Sequence, residues 1–207
     1  MQPKRVVITG MGAISGIGNN IDETWQSLIT GKSGIGPITL IDTEQHATKI
    51  ASEVKNYDPA DYFDRKEARK MDRFTQFAMI AADQAVQSSG IDFNKTDTDM
   101  IGVISATGIG GMQTYEDQMK TLLDRGARRV SPFFIPMLIG DISSGHISIK
   151  HGLKGINYCT TSACASASHA LGDAFNAIRY GRAIAMLAGG SEAPVTHMGV
   201  AGFNSLK

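Results

Sequence analysis

Cysteine is nearly missing from this chain: only Cys159 and Cys164 are present. Two thiols at this spacing make neither a disulfide framework nor a C-x-x-C redox pair. No four-ligand zinc spacing accompanies them, so no metal and no cofactor is expected. The expected setting is reduced and cytoplasmic. An excess of one charge is missing too. The 20 Lys+Arg residues balance 20 Asp+Glu, which argues against nucleic acid or a membrane surface as a general partner. No apolar run approaches the roughly 20 residues of a membrane-spanning helix. The basic start, Met1 to Arg5, leads into a short run broken by Thr9 and Gly10, which is not the pattern of a signal peptide. What remains is ordinary for a globular protein with a core: 207 residues, 42% hydrophobic and 19% charged. That length suits one substantial domain or two small ones. Glycine is plentiful, with 23 residues gathered mainly at the ends of apolar runs.

Apolar runs and helical periods alternate along the chain. Arg5 to Ile14 reads as a buried strand ending in glycines. Its Gly10-x-Gly12-x-x-Ser15 lacks the third glycine of a dinucleotide fingerprint, and no acidic residue ends a clear second strand about 20 residues on. A glycine-rich strand end is the plainer reading. Asp22 to Gly31 predicts a helix with Asp22 as N-cap and Trp25, Leu28 and Ile29 on its apolar face. Gly34 to Val54 reads as irregular, with a strand at Lys49 to Val54, and Asp58 to Asp61 as a short turn or helix. Arg65 to Lys70 is the one dense basic run, either a solvated helix face or a contact surface. Met71 to Ser89 is an amphipathic helix stopped by Gly90, with Phe74, Phe77, Ala78, Ala81, Ala82 and Ala85 in its stripe.

Met100 to Ala106 is a second buried strand, followed by Thr107-Gly108-Ile109-Gly110-Gly111 and a helix to Leu123. Ser131 to Pro136 is an apolar loop held extended by its prolines. Met137 to His151 reads as a helix in which Gly140 and Gly145 mark close packing. Gly155 to Cys159 and Ala183 to Ala188 are further strands, and Thr196 to Phe203 is irregular. Runs that are apolar on both faces, alternating with helices, predict an α/β fold around a mainly parallel sheet.

One stretch stands apart. Between the strand ending at Cys159 and a helix running from about Cys164 to Tyr180, Cys164 sits among small and hydroxyl residues. The first turn of a helix has unpaired N–H groups and the positive end of the dipole, which stabilise a thiolate. A small buried core cysteine fits the local pattern as well, and base rates favour it.

Taken together, a set of motifs resembles a known family. They are Arg5-Val6-Val7-Ile8-Thr9-Gly10-Met11-Gly12, Arg65 to Asp72, Thr107 to Gly111, Ser131 to Pro136, Ser162-Ala163-Cys164, Ala188-Gly189-Gly190-Ser191-Glu192 and Gly199 to Phe203. In this order they resemble the bacterial 3-oxoacyl-[acyl-carrier-protein] synthases, nearest the type called synthase II, across residues 1–207. The resemblance implies a thiolase-like layered α/β fold, of which this chain is the N-terminal half. It implies that Cys164 is the nucleophile of fatty acid chain elongation. An acyl group passes from acyl carrier protein to the sulfur, malonyl carrier protein is decarboxylated, and the products are 3-oxoacyl carrier protein and carbon dioxide.

By position, Gly108, Ile109, Phe134, Ile135, Ala163 and Phe203 correspond to residues at the acyl-chain pocket. Ile109 falls at its inner end, and Phe134 and Ile135 line the pocket of a dimer mate. Lys66, Arg69, Lys70 and Lys207 correspond to basic positions that meet the acidic carrier protein. The family's two catalytic histidines, its lysine and a second oxyanion donor lie beyond Lys207, so the 207 residues alone are expected not to condense and to associate through exposed apolar surface. His169, about 140° around the helix from Cys164, is expected to point away from the sulfur. His46, His146, His151 and His197 match no catalytic position. A non-catalytic partner subunit is the alternative, which the presence of Cys164 disfavours, and a dinucleotide-binding half rests on the Gly10 region alone.

Overall fold

The computed structural model describes residues 3–206. In chain order its principal elements are α1 (Ile21–Ile29), β1 (Ile35–Pro37), β2 (Ile50–Ser52), α2 (Arg65–Ala68), α3 (Arg73–Ser89), β3 (Ile101–Ala106), α4 (Met112–Arg125), α5 (Phe134–Leu138), α6 (Ile142–His151), β4 (Asn157–Tyr158), α7 (Ser166–Arg179), β5 (Ala185–Gly190) and α8 (His197–Ser205). They fall into two compact units. One comprises the described part of Met1–Gly12, Phe74–Gly110 and Ile139–Glu192, and the other Ala13–Arg73, Gly111–Leu138 and Ala193 onward.

The first unit is built on a parallel sheet of order β4-β3-β5. Ile101 to Ala106 lie opposite Ala185 to Gly190, and Val103 and Ile104 lie opposite Asn157 and Tyr158. Every residue of β3 is buried, as a central parallel strand covered on both faces must be. Its alternation sorts two helices. Ile104 and Ala106 pack on Ala170 and Ala174 of α7, whose small side chains at four-residue spacing let the helix come close. The intervening Ser105 belongs to α6: its N–H donates to Ser144 Oγ at 2.8 Å, and Ser143 Oγ donates to its hydroxyl at 2.9 Å. Beside α6, Asp83 of α3 meets His151 Nε2 at 3.0 Å and Lys150 Nζ at 2.5 Å. Burial alone would raise the Asp83 pKa, but these bonds and charges outweigh it and hold the carboxyl below its usual value.

The predicted N-terminal strand does not form. Residues 3–12 lie in no helix or sheet, and Ile8 is 83% exposed. An apolar run supplies the faces of a strand and not a partner edge. Here the Met11 N–H donates to Ser88 Oγ at 3.0 Å and the Lys4 N–H to the Arg179 carbonyl at 2.8 Å. The glycines serve α3: a β-carbon on Gly12 would stand 1.9 Å from the Ala81 carbonyl oxygen. Without a preceding strand, the dinucleotide fingerprint lacks the context that gives it meaning.

The second unit contains the antiparallel pair β1–β2, with Ile35 opposite Ser52, of which only β2 was predicted. Buried Glu53 follows β2 and accepts from the Thr39 N–H (3.0 Å), the Thr39 hydroxyl (2.7 Å) and the Leu40 N–H (3.1 Å). Asp72 caps α4 from a distance: its Oδ2 accepts from the Thr114 N–H at 2.9 Å and hydroxyl at 2.6 Å, because Gly111 at the N-cap has no side chain to do so. Several predictions are corrected. The cap of α1 is Asn20, which accepts from the Glu23 N–H, and Trp25, Leu28 and Ile29 are exposed while Ser27 is buried. Phe134–Leu138 is a short helix, since Pro136 falls in its first turn, where the missing N–H costs nothing. The helix predicted from Met137 to His151 is broken between Leu138 and Ile142. His197–Ser205 is a helix despite its glycines, because the Thr196 side chain accepts from the Gly199 N–H.

Candidate active site

Parallel strands bring their C-terminal ends to one edge of the sheet, which is where open α/β sheets place ligands. Register aligns Ile104 with Tyr158 and Ala106 with Gly190, so three segments leave that edge together. Cys159 to Ala165 follow β4, Thr107 to Gly110 follow β3, and Ser191 and Glu192 follow β5. The Ser191 N–H donates to the Ala106 carbonyl at 3.0 Å, which keeps the last two in step.

Cys164 stands in the first of these segments, two residues before α7 begins at Ser166. Its thiol is free and exposed, which removes the reading of a buried core cysteine; Cys159 is half-buried, with Sγ 3.4 Å from the Thr160 carbonyl oxygen. The turn is tied down by Ser166, which is 4% exposed. Ser166 Oγ accepts from the Ser162 N–H at 2.8 Å and donates to the Ala163 carbonyl at 2.7 Å, while Thr160 Oγ1 donates to the Ser166 carbonyl at 2.9 Å. Ala163 sits at φ 51°, in the left-handed region that costs a residue with a β-carbon about 1–2 kcal/mol. Such strain persists where its surroundings impose it, and it lies immediately before the thiol. His169 is bound to this turn as well, with Nδ1 2.6 Å from Ser162 Oγ.

The structure brings Gly108 against Ala163, the residue before Cys164. A β-carbon on Gly108 would stand 3.5 Å from the Ala163 carbonyl oxygen and 2.9 Å from Glu192 Oε2. Ile109, next in the glycine turn, is 40% exposed. Glu192 accepts from the Gly108 N–H at 2.7 Å and the Ile109 N–H at 3.1 Å. Neither Glu192, Ser166 nor the Ser162–His169 contact was foreseen as part of a site, although Glu192 closes one of the motifs. Phe134, Ile135 and Phe203 belong to the other unit: Phe134 is half-buried and Ile135 exposed in α5, and Phe203 is exposed in α8. Lys66, Arg69 and Lys70 are exposed at α2 and just after it, and the Lys70 ammonium lies 5.4 Å from the centre of the Phe133 ring. Lys207 lies outside the described residues. Among the described residues no cluster of His, Cys, Asp or Glu could hold a metal ion, and no helix is long and apolar enough to cross a membrane.

This geometry can be set beside known proteins. The family model for the beta-ketoacyl synthase N-terminal domain matches residues 3–207. The 3-oxoacyl-[acyl-carrier-protein] synthase 2 of Staphylococcus aureus (strain COL) is 52% identical over 204 residues, which is 99% of this chain and 49% of that protein. The chain spans about half the length of the curated relatives it matches. The solved ishigamide ketosynthase/chain length factor superposes with a TM-score of 0.90 at 27% identity, covering 99% of this chain and 51% of that one. A ketosynthase solved in complex with a type II PKS acyl-carrier protein and bound to the hexaketide gives a TM-score of 0.85 at 26% identity, over 98% of this chain and 55% of that one. The fold is the thiolase-like α/β fold of these ketosynthases, in its N-terminal half.

Proposed function

Since the chain belongs to the beta-ketoacyl synthases, we propose that it carries the acyl-accepting cysteine of an enzyme of fatty acid chain elongation. The thiolate of Cys164 attacks the thioester carbonyl of acyl carrier protein. The new S–C bond replaces the old one, and the carrier thiol leaves with a proton. Malonyl carrier protein then loses carbon dioxide, and the resulting carbanion attacks the acyl-enzyme. The products are 3-oxoacyl carrier protein and the regenerated thiolate. A thiolate is a good nucleophile and its thioester a good acyl donor. The Cys164 N–H is assigned to the oxyanion of the tetrahedral intermediate.

One observation carries this reading: a free, exposed Cys164 on a turn with strained backbone, at the C-terminal edge of a parallel sheet. Gly108, Ile109 and Ala163 border the acyl chain beside it; Phe134, Ile135 and Phe203 correspond by position to pocket residues of the family. Lys66, Arg69, Lys70 and Lys207 are the carrier-protein contacts, which the exposure of the first three supports. Decarboxylation is assigned to groups beyond these 207 residues. A homodimer and a cytoplasmic location complete the reading. Exposed apolar side chains such as Leu123 (77%) and Leu171 (55%) support association, and two free thiols support a reduced compartment.

The test is elongation by the natural full-length protein with acyl and malonyl carrier protein. Loss of all product in Cys164→Ala is expected. Retained elongation in that variant would overturn the reading and make the chain a non-catalytic partner.

A further inference from the structure

Three donors at the end of β3 converge on one carboxylate. Thr107 Oγ1 donates to Glu192 Oε1 at 2.9 Å, and the Gly108 and Ile109 N–H groups donate to Oε2 at 2.7 and 3.1 Å. The Thr107 hydroxyl accepts in turn from the Gly110 N–H at 3.1 Å. Two successive N–H groups aimed at one point form a concavity that attracts an anion, and here the chain supplies the anion itself. Glu192 is exposed, so the bonds do not serve to satisfy a buried charge. Water could satisfy these donors equally well in number. What water would not do is hold them at one spacing from β5.

That spacing matters because of what else the Gly108 position meets. The space where a Gly108 β-carbon would stand is bounded by Glu192 Oε2 at 2.9 Å and by the Ala163 carbonyl oxygen and Cα at 3.5 and 3.6 Å. The carboxylate and the backbone that leads into Cys164 thus both stand against the Gly108 position of the turn. We propose that Glu192 is a positioning residue: its carboxylate clamps the Thr107-Gly108-Ile109 turn and so sets the width of the acyl-accepting cleft beside Cys164. This rests on Cys164 being the acyl acceptor. Glu192 acts through the turn and touches no reacting atom.

The experiment measures acylation of Cys164 in the natural full-length protein, by intact mass, from acyl carrier protein loaded with a short or a long acyl chain. Wild type is compared with Glu192→Ala, Glu192→Gln and Gly108→Ala, each with kcat, KM and melting temperature. Glu192→Ala is expected to melt close to wild type, to lose roughly 10- to 100-fold in acylation rate, and to change the ratio of rates between the two chain lengths. Glu192→Gln should recover most of the rate and the ratio, because its amide oxygen accepts from the same two N–H groups. Gly108→Ala should reproduce Glu192→Ala, because the added methyl displaces the carboxylate. An unchanged rate and ratio in Glu192→Ala overturns the proposal. So does a loss equal for both chains, tracking the melting temperature and not rescued by Gln. A wild-type protein that takes no acyl group overturns the underlying reading of Cys164 instead.

Discussion

Glu53 and Glu192 make nearly the same set of bonds in different units. Each accepts from a threonine hydroxyl and from two consecutive backbone N–H groups, Thr39 and Leu40 in one case and Gly108 and Ile109 in the other. Glu53 is 8% exposed, beside a three-residue strand. Glu192 is exposed, at the edge of the sheet where Cys164 stands. The same local chemistry therefore serves different ends. A buried carboxylate holding loop donors is part of what keeps the unit folded, since removing it leaves those donors without partners. An exposed one can be removed at little cost in folding, so its bonds matter for where the turn stands.

The sharpest break between structure and chemistry lies at the sulfur itself. Cys164→Ala should abolish acylation while the melting temperature stays within a degree or two (roughly ±0.5 kcal/mol for an exposed site), as calorimetry beside the acylation assay will show. Gly12→Ala should do the reverse. Its β-carbon would stand 1.9 Å from a backbone oxygen of α3, an overlap that costs about 3 kcal/mol in unfolding free energy, measured by denaturant titration.

Glu53→Ala should cost about 2 kcal/mol and leave the acylation rate of the folded fraction unchanged. Burial alone would raise the Glu53 pKa. The bonds from Thr39 and Leu40 and the charge of Arg73 outweigh it, so the folded value lies below the unfolded one. The stabilisation is fully present above about pH 4.3, the unfolded value. It is lost as pH falls through the folded value. Glu53→Gln should accordingly flatten the acid limb of stability against pH, read by urea melts between neutral and acid pH. The smallest effect concerns the strained residue. Ala163→Gly should raise stability by up to about 1 kcal/mol and slow Cys164 acylation several-fold, because the freed backbone no longer imposes the turn.

Much of the first unit was legible in the residues. β3 and β5 are short apolar runs closed by small residues, and α3 and α7 carry plain helical periods, so their existence followed from pattern alone. The second unit was harder. β1 is three residues long, too short for any period to show. The helix α8 is concealed by Gly199 and Gly202 until the Thr196 cap is seen. Residues 3–12 mislead because strand formation depends on a partner edge, which no residue of the run encodes. At the candidate site, Cys164 is singled out by the company of motifs. The Glu192 clamp was not, since Gly108 lies 84 residues away from it in the chain and only the parallel register brings them together.

Where an acyl group lands separates the two cysteines most directly. The full-length protein, incubated with acyl carrier protein carrying an acyl thioester and then digested, should yield one acylated peptide, with the mass increment on Cys164 and none on half-buried Cys159. An adduct on Cys159, or an unmodified Cys164 under conditions in which elongation proceeds, would contradict it.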